Sequence, residues 1–389
     1  MRDIAVVTVA RSDYGIYRSL LHLLHSDPSV SLRVLVSGMH LSPEFGMTVK
    51  VIEADGFPVA ERLEMLLSSD SEQGVSKSIG LGVINFAQSY ANHRPDLLVV
   101  LGDRFEMYTA ALAALPFKIP IAHIHGGEVT QGAIDDALRH SITKLSHLHF
   151  VSTVEYGRRV VQLGEEPWRV VVSGAPSLDN LQSIQLLGKK ELERKYNLRL
   201  EAPPLVVTYH PVTLEYEQTG WQISELLKAL EDAELPIVFT LPNADTHGRL
   251  IAERVHGFLR THPNAQMVSN LGTEGYFSLM AMSRAMVGNS SSAVIEAPSF
   301  HLPCVNIGNR QKGRVFGANI IQSGYHWQEI HEAVQRAVSP DFREAIKQSE
   351  NPYQRGNASA MIYKKLLDIP LDERLITKSF YDLPVDFSG

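Results

Sequence analysis

The chain has one cysteine, Cys304, in 389 residues, so no disulfide can form within it. Stability must come from buried apolar surface, which a chain of this length supplies without staples. In its setting, "HLPCVNIG", Cys304 reads as a small buried residue rather than a reactive one. Long apolar runs are also missing, and none approaches the roughly 18 residues of a membrane span. The opening "MRDIAVVTVARSDYG" is too briefly apolar for a leader, and Arg11 and Asp13 interrupt it. A reducing, cytoplasmic setting with no membrane partner is expected. A basic excess is absent too. The net charge of -7 removes the positive face that general nucleic-acid binding needs, although it permits a local basic pocket for one diphosphate. No G-x-G-x-x-G follows the first apolar run, so a dinucleotide fingerprint is lacking there. No internal repeat or low-complexity tract interrupts the chain.

What is present is a rhythm of short apolar runs and helix-length segments. "IAVVTVA" (4–10), "LRVLVSG" (32–38), "DLLVVLG" (96–102), "IPIAHIHGG" (119–127) and "LHFVS" read as buried strands separated by helices such as "GIYRSLLHLLHSD" and "AIDDALRHSITKLS". Continuous apolar strands alternating with helices predict a parallel sheet covered on both faces. The rhythm restarts after the charged stretch "LLGKKELERKYNLRLEAP", with strands in "PLVVTYHP", "PIVFTLPN", "AMVGN" and "LPCVNIG". The fold class expected is α/β: two Rossmann-like, doubly wound domains over residues 1–185 and 186–365, with a tail, 366–389, packing back on the first. Ligands of such sheets bind beyond the carboxyl ends of the strands, so the residues there are the ones to inspect.

In the first half those residues are unusual. Arg11 stands in "ARSDYG" at a strand-to-helix turn, where it can bind an anion or where Ser12 or Asp13 simply caps the helix. Gly102-Asp103-Arg104 places a carboxylate at a strand end, with Arg104 able to hold it ionised or to bind phosphate. "AHIHGGE" supplies His123, His125 and Glu128. Two histidines and a glutamate raise the thought of a metal, but no further ligand set has the spacing, and none is expected. Strand alternation would put both histidines on one face, one of them a core histidine. Asp135 and Arg139 lie four apart on the next helix and share a face. Asp103, Glu128 and Asp135 are thus expected to converge. Crowded carboxylates move one another's pKa, which lets one give a proton while another takes one.

The second half offers anion-binding groups. His210 follows "LVVTY", and Asn243 follows a strand in "LPNAD". In "GNSSSAVIEAP", Ser290 and Ser291 stand at a helix start, where hydroxyls and free amides hold phosphate, and Glu296 can accept from ribose hydroxyls. "NIGNRQKGR" adds Arg310, Lys312 and Arg314.

Taken together, "ARSDYG", "GDRFE", "HIHGGEVTQGAIDDALRHSITKLSH", "VTYHPVT", "PNAD", "GNSSSAVIEAPSF" and "NIGNRQKGR" resemble the UDP-N-acetylglucosamine 2-epimerases, in particular the hydrolysing branch of sialic-acid and nonulosonic-acid biosynthesis. The resemblance implies two Rossmann-like domains, as in GT-B glycosyltransferases, with an active site in an interdomain cleft and no metal or nicotinamide cofactor. It implies elimination of UDP across C1–C2 to a 2-acetamidoglucal, then hydration to the free 2-epimer, such as N-acetylmannosamine. The substrate would be UDP-N-acetylglucosamine or a UDP-linked diacetamido sugar, and a homodimer or homotetramer is common among relatives. Residue by residue, it implies that Asp103, Glu128 and Asp135 are acid–base groups, that Arg139 organises them, and that His210 assists the leaving diphosphate. Arg11, Arg104, Asn243, Ser290, Ser291, Glu296 and Arg310 would hold the nucleotide. The non-hydrolysing branch carries His-x-Glu where this chain has His125 in third place, which leaves open whether Glu128 supplies the missing carboxylate. A retaining glycosyltransferase would share the nucleotide pocket without needing the carboxylates. A non-catalytic nucleotide-sugar sensor would need neither turnover nor Asp103.

Overall fold

The computed structural model describes every residue except 70, 131–133, 213–214, 232, 241–247, 269–270 and 385–389. The described chain divides into two units: Met1–Glu128, Asp135–Asn180 and Tyr353–Gly389 form one, and Val129–Ile134 with Leu181–Pro352 form the other.

The first unit is built on β1 (Arg2–Thr8), β2 (Val30–Ser37), β3 (Val59–Leu63), β4 (Leu97–Leu101), β5 (Ile121–Ile124), β6 (Leu148–Val151) and β7 (Val170–Val172). Their spatial order is β3-β2-β1-β4-β5-β6-β7, and every pairing is parallel. The second unit holds β8 (Leu205–Thr208), β9 (Ile237–Thr240), β10 (Ala265–Val268), β11 (Ala285–Gly288), β12 (Cys304–Ile307) and β13 (Ile320–Ser323). Their order, β10-β9-β8-β11-β12-β13, is again parallel throughout. These are the doubly wound α/β units expected from the rhythm of the sequence. Each sheet reverses its winding beside its first strand, between β1 and β4 and between β8 and β11. A crevice opens at such a reversal.

Central strands are buried on both faces. Ile4–Val7 of β1 and Leu97–Val100 of β4 are inaccessible to solvent. In β8, Leu205 and Val207 face one apolar cluster with Ile223 and Ile330, while Val206 faces another with Leu192 and Phe277. That alternation accounts for helices on both sides. Cys304 opens β12, fully buried, and burial pushes its thiol well above the ordinary range.

The last return of the chain to the first unit begins at Tyr353, earlier than the expected 366, and the crossing into the long segment of the second unit falls at 180/181 rather than 185/186. Packing gives the reason. The hydroxyl of Tyr353 meets that of Tyr156 at 2.7 Å, and its carbonyl accepts from Ala175 N at 3.0 Å. Asp179 accepts the free amides of Ala358 (3.1 Å) and Ser359 (2.6 Å), which start the helix Ala358–Asp368.

A buried guanidinium then fastens the tail. Arg169 is wholly inaccessible and donates to the carbonyls of His147, Arg374, Leu375 and Thr377 at 2.8–3.2 Å. Beyond it, Lys378 donates to Glu165 at 2.8 Å, and Lys144 donates to the same carboxylate at 2.7 Å. His149 Nε2 donates to Glu165 Oε2 at 3.0 Å, and burial lowers the pKa of that imidazole. Burial alone would raise the Glu165 carboxyl, but the His149 bond and the ammonium groups outweigh it and bring it from 4.5 to about 2.

Two outcomes follow from this clasp. Replacing Arg169 with Met leaves the carbonyls unpaired and is expected to cost about 3 kcal/mol, read as a lower urea midpoint and faster hydrogen exchange at Tyr381 N, which donates to Gly164 O at 2.9 Å just beyond the clasp. The Glu165 contribution is full above its unfolded value of 4.5 and is lost as pH falls toward about 2. Protection of residues 374–381 should therefore fade across that acid window in the parent. In Glu165→Gln it should be low already at pH 6, with no further fall of this origin.

Candidate functional site

In the first unit the unusual residues gather at the carboxyl ends of β1, β4 and β5. Gly102 turns the chain beyond β4 with a φ of 75°, a left-handed angle that glycine adopts without strain. Its amide donates to Ile124 O at 2.9 Å, and its carbonyl accepts from His123 Nε2 at 2.8 Å. Asp103 follows, partly exposed, and its carboxylate pairs with Arg139. Arg139 is buried on the helix Asp135–Leu145. It also donates to His125 O at 2.8 Å, and its Nη1 lies 3.9 Å from Glu128 Oε2. Glu128 is buried as well, accepting from His125 Nδ1 at 2.5 Å and from Ser152 Oγ at 2.9 Å. One guanidinium thus links Asp103 and Glu128. Asp135 opens the same helix, half-buried, one turn before Arg139.

The two histidines do not share a face. β5 ends at Ile124, so strand alternation does not reach His125, whose φ is 65°. His123 is a core histidine: burial depresses its pKa to about 3 and keeps it neutral, with Thr143 Oγ1 3.2 Å from Nδ1. Among the described residues no group of three His, Cys, Asp or Glu is placed to hold a metal ion.

Arg104 differs from expectation as the partner of Asp103. It lies across Glu106, with Nε 3.3 Å from Oε2 and Nη2 3.2 Å from Oε1, and Nη2 also meets Met39 Sδ at 3.3 Å. Asp103 stands in the turn that Gly102 begins, while Arg104 is the N-cap of the following helix and lies against its Glu106, so Arg139 rather than Arg104 meets Asp103. Glu106 is fully buried at the start of the helix Phe105–Ala114. Arg11 is exposed at the first residue of the helix Arg11–Ser26. Asp13 takes the capping role beside it, accepting from Ala10 N at 3.0 Å and Val9 N at 3.3 Å. Burial raises Asp13 to about 6 despite the nearby charge of Arg104.

In the second unit, β8 and β11 end side by side. Gly288 has a φ of 137°, and a Cβ there would overlap the Thr208 carbonyl, so only glycine lets the strands close up. Asn289 follows, fully buried. Its Oδ1 accepts from His210 N at 2.7 Å and its Nδ2 donates to His210 O at 2.8 Å, which fixes His210 in place. The Asn289 carbonyl in turn accepts from Arg310 Nη1 at 3.1 Å and Gln311 Nε2 at 2.8 Å. His210, Ser290 and Arg310 are therefore gathered around one asparagine. Ser290 is buried and its Oγ accepts from Ser292 N at 3.3 Å, the local capping role. Ser291 precedes the helix Ser292–Ile295, and Glu296 closes that single turn, buried. So short a helix supplies local amides rather than an extended dipole. Asn243 lies outside the described residues.

Sequence reasoning missed Asn289, Gln311 and Glu106. Asn289 had a signal, since it precedes the serine run directly after a strand. A further missed residue is Glu215, which accepts from Tyr325 Oη (2.7 Å), Gln222 Nε2 (2.9 Å) and Asn309 Nδ2 (3.1 Å) and so steadies the loop that carries Arg310.

The family model for UDP-N-acetylglucosamine 2-epimerase matches residues 22–367. A Campylobacter jejuni protein named GDP/UDP-N,N'-diacetylbacillosamine 2-epimerase (hydrolyzing) is 39% identical over 98% of this chain and 99% of its own length. A Legionella pneumophila protein named UDP-N,N'-diacetylbacillosamine 2-epimerase (hydrolyzing) is 34% identical over 97% of this chain and 99% of its own. The solved UDP-GlcNAc 2-epimerase of Neisseria meningitidis, bound to UDP-GlcNAc, superposes with a TM-score of 0.83 at 20% identity, covering 95% of this chain and 100% of that one, a likeness of fold. With a family model spanning most of its length and relatives matched end to end, the chain belongs to the UDP-N-acetylglucosamine 2-epimerase family.

Proposed function

We propose that the chain is a hydrolysing 2-epimerase that converts a UDP-linked 2-acetamido sugar and water into UDP and the free 2-epimer. The observation that carries the reading is the Asp103–Arg139–Glu128 cluster at the ends of β4 and β5. Carboxylates gathered by a buried guanidinium suit the movement of a carbon-bound proton. A glycosyl transfer moves no such proton and leaves the cluster without a task. The names of the Campylobacter and Legionella relatives favour the hydrolysing outcome and a 2,4-diacetamido sugar ahead of UDP-N-acetylglucosamine.

In this reading the reaction has two halves. A base takes the C2 proton, the C2–H electron pair becomes the C1=C2 bond, and the C1–O pair departs with UDP. Water then bonds to C1 while an acid on the other face returns a proton to C2. The C2 proton is weakly acidic, so departure of the diphosphate has to be assisted. His210 and Arg310, held by Asn289, supply donors for the charge developing on its oxygens. Ser290, Ser291 and Glu296 complete the nucleotide subsite. Asp103 and Asp135 are the carboxylates with solvent-accessible surface, while Glu128 is buried and engaged by His125 and Ser152.

Incubation with a UDP-linked 2,4-diacetamido-trideoxyhexose in deuterated water should give free sugar, UDP and one deuterium at C2. A UDP-linked epimer as sole product would overturn the hydrolysing assignment, and product without deuterium would overturn epimerisation. Asp103→Asn should lower turnover about 100-fold or more while UDP affinity, measured by calorimetry, stays within about threefold. A sensor protein would show no turnover to lose.

A further inference from the structure

The geometry points to His125 Nε2, oriented through Nδ1 by Glu128, as the base that removes the C2 proton. This rests on the epimerase reading above and names a group to which no role was assigned. Three observations converge. His125 sits at the end of β5, beside the strand that delivers Asp103, and its φ of 65° is a left-handed angle that few residues other than glycine adopt. Strain of that kind persists only where the surroundings impose it, and it gathers at functional sites. Here the surroundings do impose it: His125 N donates to Phe150 O at 2.9 Å, and its carbonyl accepts from Arg139 at 2.8 Å. Second, Glu128 fixes the tautomer. A carboxylate 2.5 Å from Nδ1 takes that N–H, so Nε2 carries the lone pair. Ser152 holds the same carboxylate oxygen, so the ring cannot turn without breaking a buried network. Third, Nε2 is buried and meets no hydrogen-bond partner among the described residues, so its lone pair is not committed to another group there. His123, two residues earlier, meets a partner at each nitrogen.

A ring nitrogen with a fixed lone pair, backed by a buried carboxylate, is the arrangement of a general base. The step balances. Nε2 takes the C2 proton, the C2–H pair forms the C1=C2 bond, and UDP leaves with the C1–O pair. Glu128 stabilises the imidazolium that results. In hydration the water oxygen bonds to C1, an acid on the opposite face protonates C2, and the second water proton restores that acid. The imidazolium then releases its proton to solvent beside the departing UDP. Glu128 is accordingly a positioning residue and His125 the catalytic one.

The test separates the two halves. His125→Asn suits the left-handed backbone and keeps an N–H toward Glu128, but it removes the base. UDP release from the UDP-sugar is expected to fall about 100-fold or more. Hydration of added 2-acetamidoglucal in the presence of UDP should stay within about threefold of the parent. Glu128→Gln is the second variant and decides if the first does not fold. It keeps an acceptor for Nδ1 but removes the charge, so it should slow elimination about tenfold or more and spare glycal hydration. UDP release within about threefold of the parent in the folded variants, or parallel loss of both halves, overturns the role of His125. A parent enzyme that releases no UDP and incorporates no deuterium refutes the epimerase reading instead, so the two failures are distinguishable.

Discussion

Arg139 is buried in the first unit, on a helix that begins only four residues before it, and its guanidinium meets Asp103, the His125 carbonyl and the Glu128 region together. A charge so enclosed is tolerated only if it is paired and hydrogen-bonded. The requirement works in both directions. Arg139 needs the carboxylates beside it, and the carboxylates keep their positions because Arg139 cannot move to water. The ends of β4 and β5, the left-handed turn at His125 and the start of the following helix are drawn into one rigid constellation. The second unit achieves a similar result without a charge, since Asn289 bridges its first and fourth strands by pairing with the backbone of His210.

A second enclosed guanidinium serves the opposite end of the first sheet. Arg169 precedes β7 and binds carbonyls of the tail. The first unit thus uses the same side chain twice, once where strands finish and chemistry is placed, and once where strands begin and only cohesion is needed. Separating the two spares the reactive end from carrying the fastening of the tail.

The strands legible in the sequence were β1, β2, β4, β5, β6, β8, β9, β11 and β12. Those not read, β3, β7, β10 and β13, are the outermost strands of the two sheets. An edge strand pairs on one side only and faces water on the other, so it is short or carries polar residues and lacks the continuous apolar run that betrays a central one. Val170–Val172 has only three residues, and Glu61 and Arg62 interrupt β3. At the site, residue types after strands were legible because parallel sheets deliver them to one end. Partner choice was not. That Arg139 rather than Arg104 meets Asp103, and that His125 leaves the face of His123, depends on the turns at Gly102 and His125, and backbone angles are not written in local spacing. Asn289 escaped because its work is done on backbone atoms of a residue 79 positions away.

The solitary thiol has a use beyond packing. Cys304 is fully enclosed at the start of β12, between β11 and the edge strand β13 of the second sheet, with its sulfur near the Leu302 carbonyl. An alkylating reagent reaches it only when that half of the molecule opens. The chain therefore carries its own chemical clock for the breathing of one lobe, and a cysteine placed elsewhere on its surface would be the sole site a dye could label in the closed protein.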